Sequence, residues 1–128
     1  MRLRSPKNSI RAVAASLALA ATVAAFSAPS GVARSGATTR VTVTMIEYRF
    51  RLSVNHVRPG TVVFTVVNKG QLTHTFAIQR LGKVTPIVLP GHRYVFRVTF
   101  RKPGTYYYLC TVGAHVQYGM FGNLRVTA

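Results

Sequence analysis

The sequence predicts an all-β fold, an antiparallel β-sandwich of about seven short strands that follows an N-terminal export signal. Beyond residue 40, apolar and polar residues alternate with the period of two that is typical of half-buried strands. Turns rich in Pro, Gly and Asn separate the apolar runs, and helical periodicity is missing after the N-terminal segment. At 128 residues the chain holds one domain at most.

The first 33 residues have the layout of a secretory signal peptide followed by a flexible lead-in. Basic residues come first, an uncharged apolar run covers residues 12–26, and small residues follow. This run is shorter than the roughly 20 residues that span a bilayer. Cleavage is expected after Ser27, Ala33 or Ala37, which leaves a folded domain over residues 38–128. Retention of the segment as a membrane anchor is the alternative.

The first strands of the domain are predicted from the parity of their side chains. Val41, Val43 and Met45 share one face, whereas the apolar positions from Tyr48 onward fall in the opposite phase. A β-bulge near Ile46 would reconcile the two halves, because it inserts one extra residue into a strand.

The remaining strands follow turns that contain proline or glycine. Residues 61–67 form an apolar run that suits a strand buried on both faces. Two alternating runs come later, with these inward positions: Leu72, His74, Phe76 and Ile78 in the first, and Tyr94, Phe96, Val98 and Phe100 in the second. The last two strands end near Cys110 and Thr127. The first of them places Tyr106, Tyr108 and Cys110 on one face, and the second buries Leu124 and Val126.

The charge balance excludes several classes of enzyme. The chain has 17 Lys and Arg residues and one carboxylate side chain, that of Glu47. Paired-carboxylate catalysis and all-oxygen calcium or magnesium sites are therefore excluded. No Asp exists to orient the base of a Cys-His nucleophile. We predict a protein that is not an enzyme and has no catalytic residues.

The same imbalance bears on partners and location. A strongly cationic exported domain should attract acidic redox proteins, anionic membrane surfaces or acidic cell-wall polymers. Nucleic-acid binding is disfavoured, because the chain carries an export signal and lacks a helix-turn-helix or aromatic RNA-binding motif. We expect a monomer in the periplasm or outside the cell.

One stretch near the C-terminus carries the chemistry, YYYLCTVGAHVQYGMFGNL over residues 106–124. Cys110, His115 and Met120 lie five residues apart, a spacing that suits a loop. A thiolate, an imidazole and a thioether are soft donors that together favour copper. Zinc rarely binds Met, and iron-sulfur clusters need several cysteines. His74 would complete a trigonal set, with Met120 as a weak axial ligand.

At these residues the chain resembles the cupredoxins, the small blue-copper proteins, in the plastocyanin-like branch. The resemblance covers roughly residues 38–127 and rests on these positions: Asn68, Gly70, His74, Phe76, Tyr108, Cys110, His115, Gly119 and Met120. It implies a Greek-key β-sandwich with one copper ion that cycles between Cu(I) and Cu(II). The implied ligands are His74, Cys110, His115 and Met120.

The resemblance also implies a route for the electron. The ring edge of His115 would reach the surface and pass the electron to a partner. The docking patch around it would comprise Gly113, Val116 and Tyr118. Phe76 and Phe121, together with the loop, would keep water from the metal.

Two positions depart from the family pattern. Many relatives have Pro-Gly before the loop histidine, whereas this chain has Gly113 and Ala114. Relatives often place Asn after the first histidine ligand, where its side chain ties the two ligand segments together; here the residue is Thr75. Thr111 follows the cysteine, so a pair of hydroxyl groups could replace that tie.

Three functions remain open from the sequence. The first is an exported mononuclear copper protein that carries single electrons. The second is copper binding, sequestration or delivery without electron transfer, and the third is a metal-free adhesive module. His56 and His92 lie beside turns and Met45 lies in strand phase, so none of them is predicted to bind metal.

Overall fold

The structure, a computed structural model, describes residues 37–128. The predicted signal peptide over residues 1–33 lies outside the described residues. Within them the chain forms nine strands and one short 3-10 turn at Gln79–Leu81. The strands are β1 Thr39–Ile46, β2 Arg49–Leu52, β3 His56–Val57, β4 Gly60–Asn68, β5 Ala77–Ile78, β6 Lys83–Val84, β7 Arg93–Phe100, β8 Gly104–Leu109 and β9 Phe121–Val126.

The strands form two mixed sheets that enclose one core. Sheet A has the strand order β2-β1-β4-β7, and sheet B has the order β3-β9-β8-β5-β6. Each sheet contains one parallel pair, β1 with β4 and β3 with β9. These pairs arise because the chain leaves sheet A after β2, adds β3 to sheet B and returns beside β1. The predicted all-β sandwich is confirmed, with mixed sheets in place of purely antiparallel ones.

The core is built from the alternating positions that the sequence predicts. Val41, Val43 and Met45 on β1 are at most 1% exposed, and they cluster with buried side chains of sheet B such as Tyr106 and Leu124. Each large apolar side chain buried in this way contributes about 1.5–3 kcal/mol. The predicted inward faces of β1, β8 and β9 are therefore confirmed. No helix within residues 37–128 is long and apolar enough to cross a bilayer.

The predicted bulge near Ile46 is wrong. β1 and β2 instead form a tight hairpin, in which Ile46 pairs with Arg49 across the two-residue turn Glu47–Tyr48. Tyr48 has φ 54°, the left-handed value that lets the chain reverse within two residues. The parity slips because the chain changes strand at this turn, not because one strand carries an extra residue.

Two other expectations hold only in part. The residues before Ala77 do not continue a strand, since His74 makes only an isolated bridge to Val88 and Leu72 is 41% exposed. Tyr94 pairs with Val66 on the inner face, as predicted, yet it is 40% exposed because it lies near the start of β7, the edge strand of sheet A. The other predicted inward residues of β7, from Phe96 onward, are buried.

Candidate metal centre

The loop between β8 and β9 carries three of the four predicted ligands. The backbone N–H of Cys110 donates to the Met120 carbonyl over 3.0 Å, so the two ends of the loop are joined. Within the loop, the His115 N–H donates to the Val112 carbonyl and the Met120 N–H donates to the His115 carbonyl, both over 3.1 Å. Gly113 has φ 45°, a left-handed value that favours glycine. Backbone hydrogen bonds thus order the loop without the Pro-Gly pair of the relatives.

Three ligand atoms from two distant segments meet beyond the end of β8. His74 Nδ1 lies 3.2 Å from His115 Nδ1 and 4.0 Å from Cys110 Sγ, which itself lies 3.6 Å from His115 Nδ1. The circle through these three atoms has a radius of about 2.1 Å. Bond lengths from zinc to nitrogen and sulfur are ~2.0–2.3 Å, so one metal ion fits between the three donors. The structure brings the three residues together, and their binding of the ion stays a prediction.

Met120 is buried beside the two loop ligands. Its side chain is 0% exposed, and its backbone is hydrogen-bonded to Cys110 and His115. This placement suits the predicted role as a weak axial ligand, which also stays a prediction. Met45, equally buried, belongs to the core as the sequence predicts.

A pair of threonines ties the two ligand segments together. The hydroxyl groups of Thr75 and Thr111 lie 2.8 Å apart, and the Thr111 N–H donates to Thr75 Oγ1 over 2.8 Å. The Thr75 N–H also donates to Cys110 Sγ over 3.5 Å. The hydroxyl pair that the sequence suggested as a substitute for the asparagine tie is therefore present.

Glu47 orients the buried His74 from the β1–β2 turn. Its Oε1 accepts hydrogen bonds from the Gln71 and Leu72 N–H groups over 2.7 and 2.8 Å, and lies 3.4 Å from His74 Nε2. With the proton on Nε2, Nδ1 of His74 is left free to face the cluster. Gly70 allows this approach, because a Cβ there would collide with the Glu47 carboxylate.

The protonation states of this pair suit metal binding. The hydrogen bond from the Leu72 N–H is the main cause that lowers the pKa of Glu47. Burial lowers the pKa of His74, and the hydrogen bond to Glu47 opposes that effect. Both shifts favour an ionised Glu47 and a neutral His74 near pH 7, which is the form of histidine that binds metals.

Sequence reasoning missed the role of Glu47. The available signal was that this residue is the only carboxylate in a chain with a formal net charge of +16. A lone acid in so basic a chain is a candidate for a specific contact. Its target could not be identified, because 27 residues separate it from His74.

His115 lies at the edge of the site toward solvent. Its half-buried ring packs edge-on against Tyr48, with centroids 5.1 Å apart, and Tyr48 in turn packs against the exposed Tyr118 at 4.8 Å. The expectation that Phe121 shields the metal is wrong, because this ring is 48% exposed and stacks on Tyr107. His56 and His92 are exposed, as predicted.

A β-sandwich that encloses one thiolate and two imidazoles defines a protein suited to a single soft metal ion. The model of the cupredoxin-like domain matches residues 13–123, so the chain belongs to the cupredoxin-like family. A search of curated proteins finds no match.

Solved structures share the fold. Dithionite-reduced auracyanin from the photosynthetic bacterium Roseiflexus castenholzii is 23% identical with a TM-score of 0.60, and the match covers 73% of this chain and 100% of that one. Auracyanin B is 20% identical with a TM-score of 0.55, over 71% and 88% of the two chains. A blue copper oxidase from Nitrosomonas europaea is 20% identical with a TM-score of 0.57; the match covers 70% of this chain but 38% of the oxidase.

The donor set agrees with the family. Cys110 is a free, buried cysteine next to two histidine nitrogens, and the three donor atoms lie within 4.8 Å of one another. The family and this cluster together support one copper ion as the cofactor of the chain.

Proposed function

We propose that this chain is an exported mononuclear type 1 copper protein that carries single electrons between redox partners and is not an enzyme. His74, Cys110, His115 and Met120 would hold the ion. Copper, when bound, supplies the one-electron couple. The N-terminal signal pattern supports export to the periplasm or the cell exterior, with a retained membrane anchor as the alternative.

The observation that carries this proposal is the enclosed triangle of donor atoms. His74 and Cys110 are fully buried, and the triangle has the size that one ion requires. The threonine pair and the loop hydrogen bonds hold these donors in place. A site whose ligands cannot move changes little between oxidation states, and this favours fast electron transfer over chemistry on a substrate.

The partner is expected to approach His115, the ligand that lies nearest solvent. Gly113 and Tyr118 are exposed beside it, and Val116 is half-buried, so the three suit a docking patch. The positive charge of the chain favours acidic partners and fast encounter with them. We expect the protein to act as a monomer.

An absorption spectrum of the copper-loaded protein tests this function. We expect an intense blue band from the Cys110 thiolate, which Cys110→Ser removes. Met120→Leu should keep the blue band and raise the reduction potential, whereas Met45→Leu, a matched change at another fully buried methionine, should leave both unchanged. A colourless copper-loaded protein would contradict the proposal.

Copper delivery or sequestration is the second candidate. The half-buried position of His115 favours it, because an acceptor protein could reach this ligand and exchange it. The two functions differ in kinetics. Reversible cycling at an electrode supports the carrier, whereas transfer of copper to an apo-acceptor with slow cycling supports delivery.

A further inference from the structure

The outer face of sheet A carries a regular array of arginines. Residues that pair directly across neighbouring strands share a face of the sheet. The pairing register therefore places Arg51, Thr44, Val67 and Arg93 in one row. Arg40, Val63 and Arg97 form a second row. Arg49 pairs with Ile46 on the same face. We call the exposed residues Arg40, Arg49, Arg51, Arg93 and Arg97 the arginine face.

The charge of the arginine face is not neutralised by acidic side chains. Glu47 is the only carboxylate side chain in the sequence, and it is engaged by Gln71, Leu72 and His74. The outer face of sheet B is different: along β8 and β9 it presents Thr105, Tyr107, Leu109, Phe121, Asn123 and Arg125. Of the twelve Lys and Arg residues within residues 37–128, five lie on the arginine face, whereas β8 and β9 together carry one, Arg125.

The layout of the arginine face favours phosphate groups in a plane over a folded protein. Four strands span about 14 Å at the usual spacing, and Arg93 and Arg97 lie about 13 Å apart along β7. Stable protein interfaces have an apolar, desolvated centre. Here the two central strands present Thr42, Thr44 and Thr65 among Val63 and Val67, so the middle of the face mixes hydroxyl and apolar groups and is not a continuous apolar patch. Arginine pairs with phosphate oxygens through two parallel hydrogen bonds, so separate guanidinium groups suit separate phosphates.

We propose that the arginine face docks on the surface of an anionic phospholipid bilayer, with its guanidinium groups paired to lipid phosphates. The β1–β2 turn, which contacts both histidines of the candidate metal centre, lies at one end of this sheet. A molecule lying flat on the arginine face therefore keeps the Cys110–Met120 loop at its side, accessible to a partner on the same membrane. This docking needs no copper, so it stands apart from the proposed function.

The test is co-sedimentation of the full chain with two kinds of vesicle. One consists of phosphatidylcholine alone, and the other contains about one third phosphatidylglycerol. Each arginine near such a surface strengthens binding by about fivefold. The triple variant Arg51→Gln, Arg93→Gln and Arg97→Gln should therefore lose roughly two orders of magnitude in partitioning to the anionic vesicles. The triple Arg→Lys variant at the same positions keeps the charge but loses the paired hydrogen bonds, so it should bind more weakly than wild type and more tightly than the Gln variant.

The matched control removes the same charge elsewhere. Arg58→Gln, Lys83→Gln and Arg125→Gln change exposed residues outside the arginine face, and should cost no more than about threefold because distant charges are screened. Equal losses in the two triple variants would overturn the proposal, since they would indicate attraction by net charge alone. If the arginine-face triple variant fails to fold by circular dichroism, Arg97→Gln alone should still lose about fivefold.

Other occupants of the face give different results. Tighter binding to polyglutamate than to anionic vesicles, lost in the arginine-face variant, would assign the face to an acidic protein and overturn the proposal. Displacement from the vesicles by millimolar inorganic phosphate would do the same, since it would indicate a site for free phosphate. If the protein binds phosphatidylcholine vesicles and neither triple variant weakens this binding, another segment of the chain makes the membrane contact, and the proposal is wrong. Equal binding by copper-loaded protein and Cys110→Ser is expected, whatever the fate of the electron-transfer proposal.

Discussion

The two segments that carry the predicted ligands are held in different ways. The Cys110–Met120 loop is closed by hydrogen bonds between its own backbone groups. The segment around His74 has no such internal pairing. Asn68 holds it through its side chain, Glu47 holds it from the β1–β2 turn, and Val88 pairs with it across an isolated bridge.

The loop is therefore supported by residues close to it in the sequence, and the His74 segment by residues far from it. A loop that supplies its own hydrogen bonds can be disturbed mainly from within. A segment held by side chains of other elements can be disturbed by substitutions far away in the sequence. The variants below test whether the two ligand segments differ in this way, from the largest expected effect to the smallest.

Asn68→Ala should have the largest effect on stability. The Asn68 side chain is 0% exposed, donates to the Leu72 and Val88 carbonyls over 2.8 Å each, and accepts from the Gly70 N–H over 2.9 Å. Its removal leaves buried polar groups unpaired, at about 1–3 kcal/mol each. We expect the free energy of unfolding in urea to fall by about 3 kcal/mol in the copper-free protein.

The control for this prediction is Asn123→Ala, a change of the same chemistry at an exposed position on β9. Exposed substitutions usually change stability by less than about 0.5 kcal/mol. If both variants unfold at the same urea concentration, Asn68 does not support the His74 segment.

The sequence predicts what depends on local pattern. The core residues of β1, β8 and β9 follow from alternation, because each strand turns every second side chain inward. The ligand loop follows from the equal spacing of Cys110, His115 and Met120 and from its glycines. Both are properties of neighbouring residues, so one sequence is enough to find them.

The errors fall where distant residues decide the conformation. A hairpin turn at Glu47–Tyr48 and a β-bulge would both shift the alternation of apolar and polar residues by one position. Only the pairing of Ile46 with Arg49 distinguishes them. Leu72 reads as an inward strand residue, yet Glu47 binds its N–H and Asn68 binds its carbonyl group. These hydrogen bonds take the place of strand pairing at Leu72. The alternation of apolar and polar residues does not indicate them.

Thr75→Val should weaken the connection between the two ligand segments. The change keeps the shape of the side chain, but the Thr111 N–H loses its acceptor and Cys110 Sγ loses a hydroxyl neighbour at 3.8 Å. We expect a loss of about 1.5 kcal/mol in urea unfolding. The thiolate band of the copper-loaded protein should also shift. Thr105→Val, at an exposed position of β8, should change neither measurement.

Glu47→Gln isolates the charge of the turn from its hydrogen bonds. One Oε1 accepts both backbone bonds, and the amide oxygen of glutamine can take its place. The lost negative charge should destabilise Cu(II) relative to Cu(I). An effect of about 1 kcal/mol at an effective dielectric constant of ~20 raises the reduction potential by about 40 mV.

Glu47→Ala provides the contrast, since it also removes both backbone bonds. It should lower the stability of the copper-free protein, whereas Glu47→Gln should nearly preserve it. A potential that is the same in wild type and Glu47→Gln would mean that the carboxylate supports His74 by position alone.

Gly113→Ala should have the smallest effect on stability, and it tests the claim that the loop supports itself. An alanine at φ 45° is strained by roughly 1–2 kcal/mol, part of which is offset by the lower entropy of the unfolded chain. Gly91→Ala is the matched control, because Gly91 has φ 76° in a turn outside the site and both glycines have open space where a Cβ would be added. Both variants should lose similar stability, of about 0.5–1 kcal/mol.

The two glycine variants should differ in their copper spectra. The hydrogen bond from the His115 N–H to the Val112 carbonyl spans residue 113, so strain at Gly113 is transmitted to the His115 backbone. We therefore expect Gly113→Ala to shift the thiolate band and the reduction potential, while Gly91→Ala leaves both at wild-type values. Identical spectra for the two variants would show that His115 is positioned by Tyr48 and the ion rather than by its own loop. In that case the two ligand segments would be held alike, from outside.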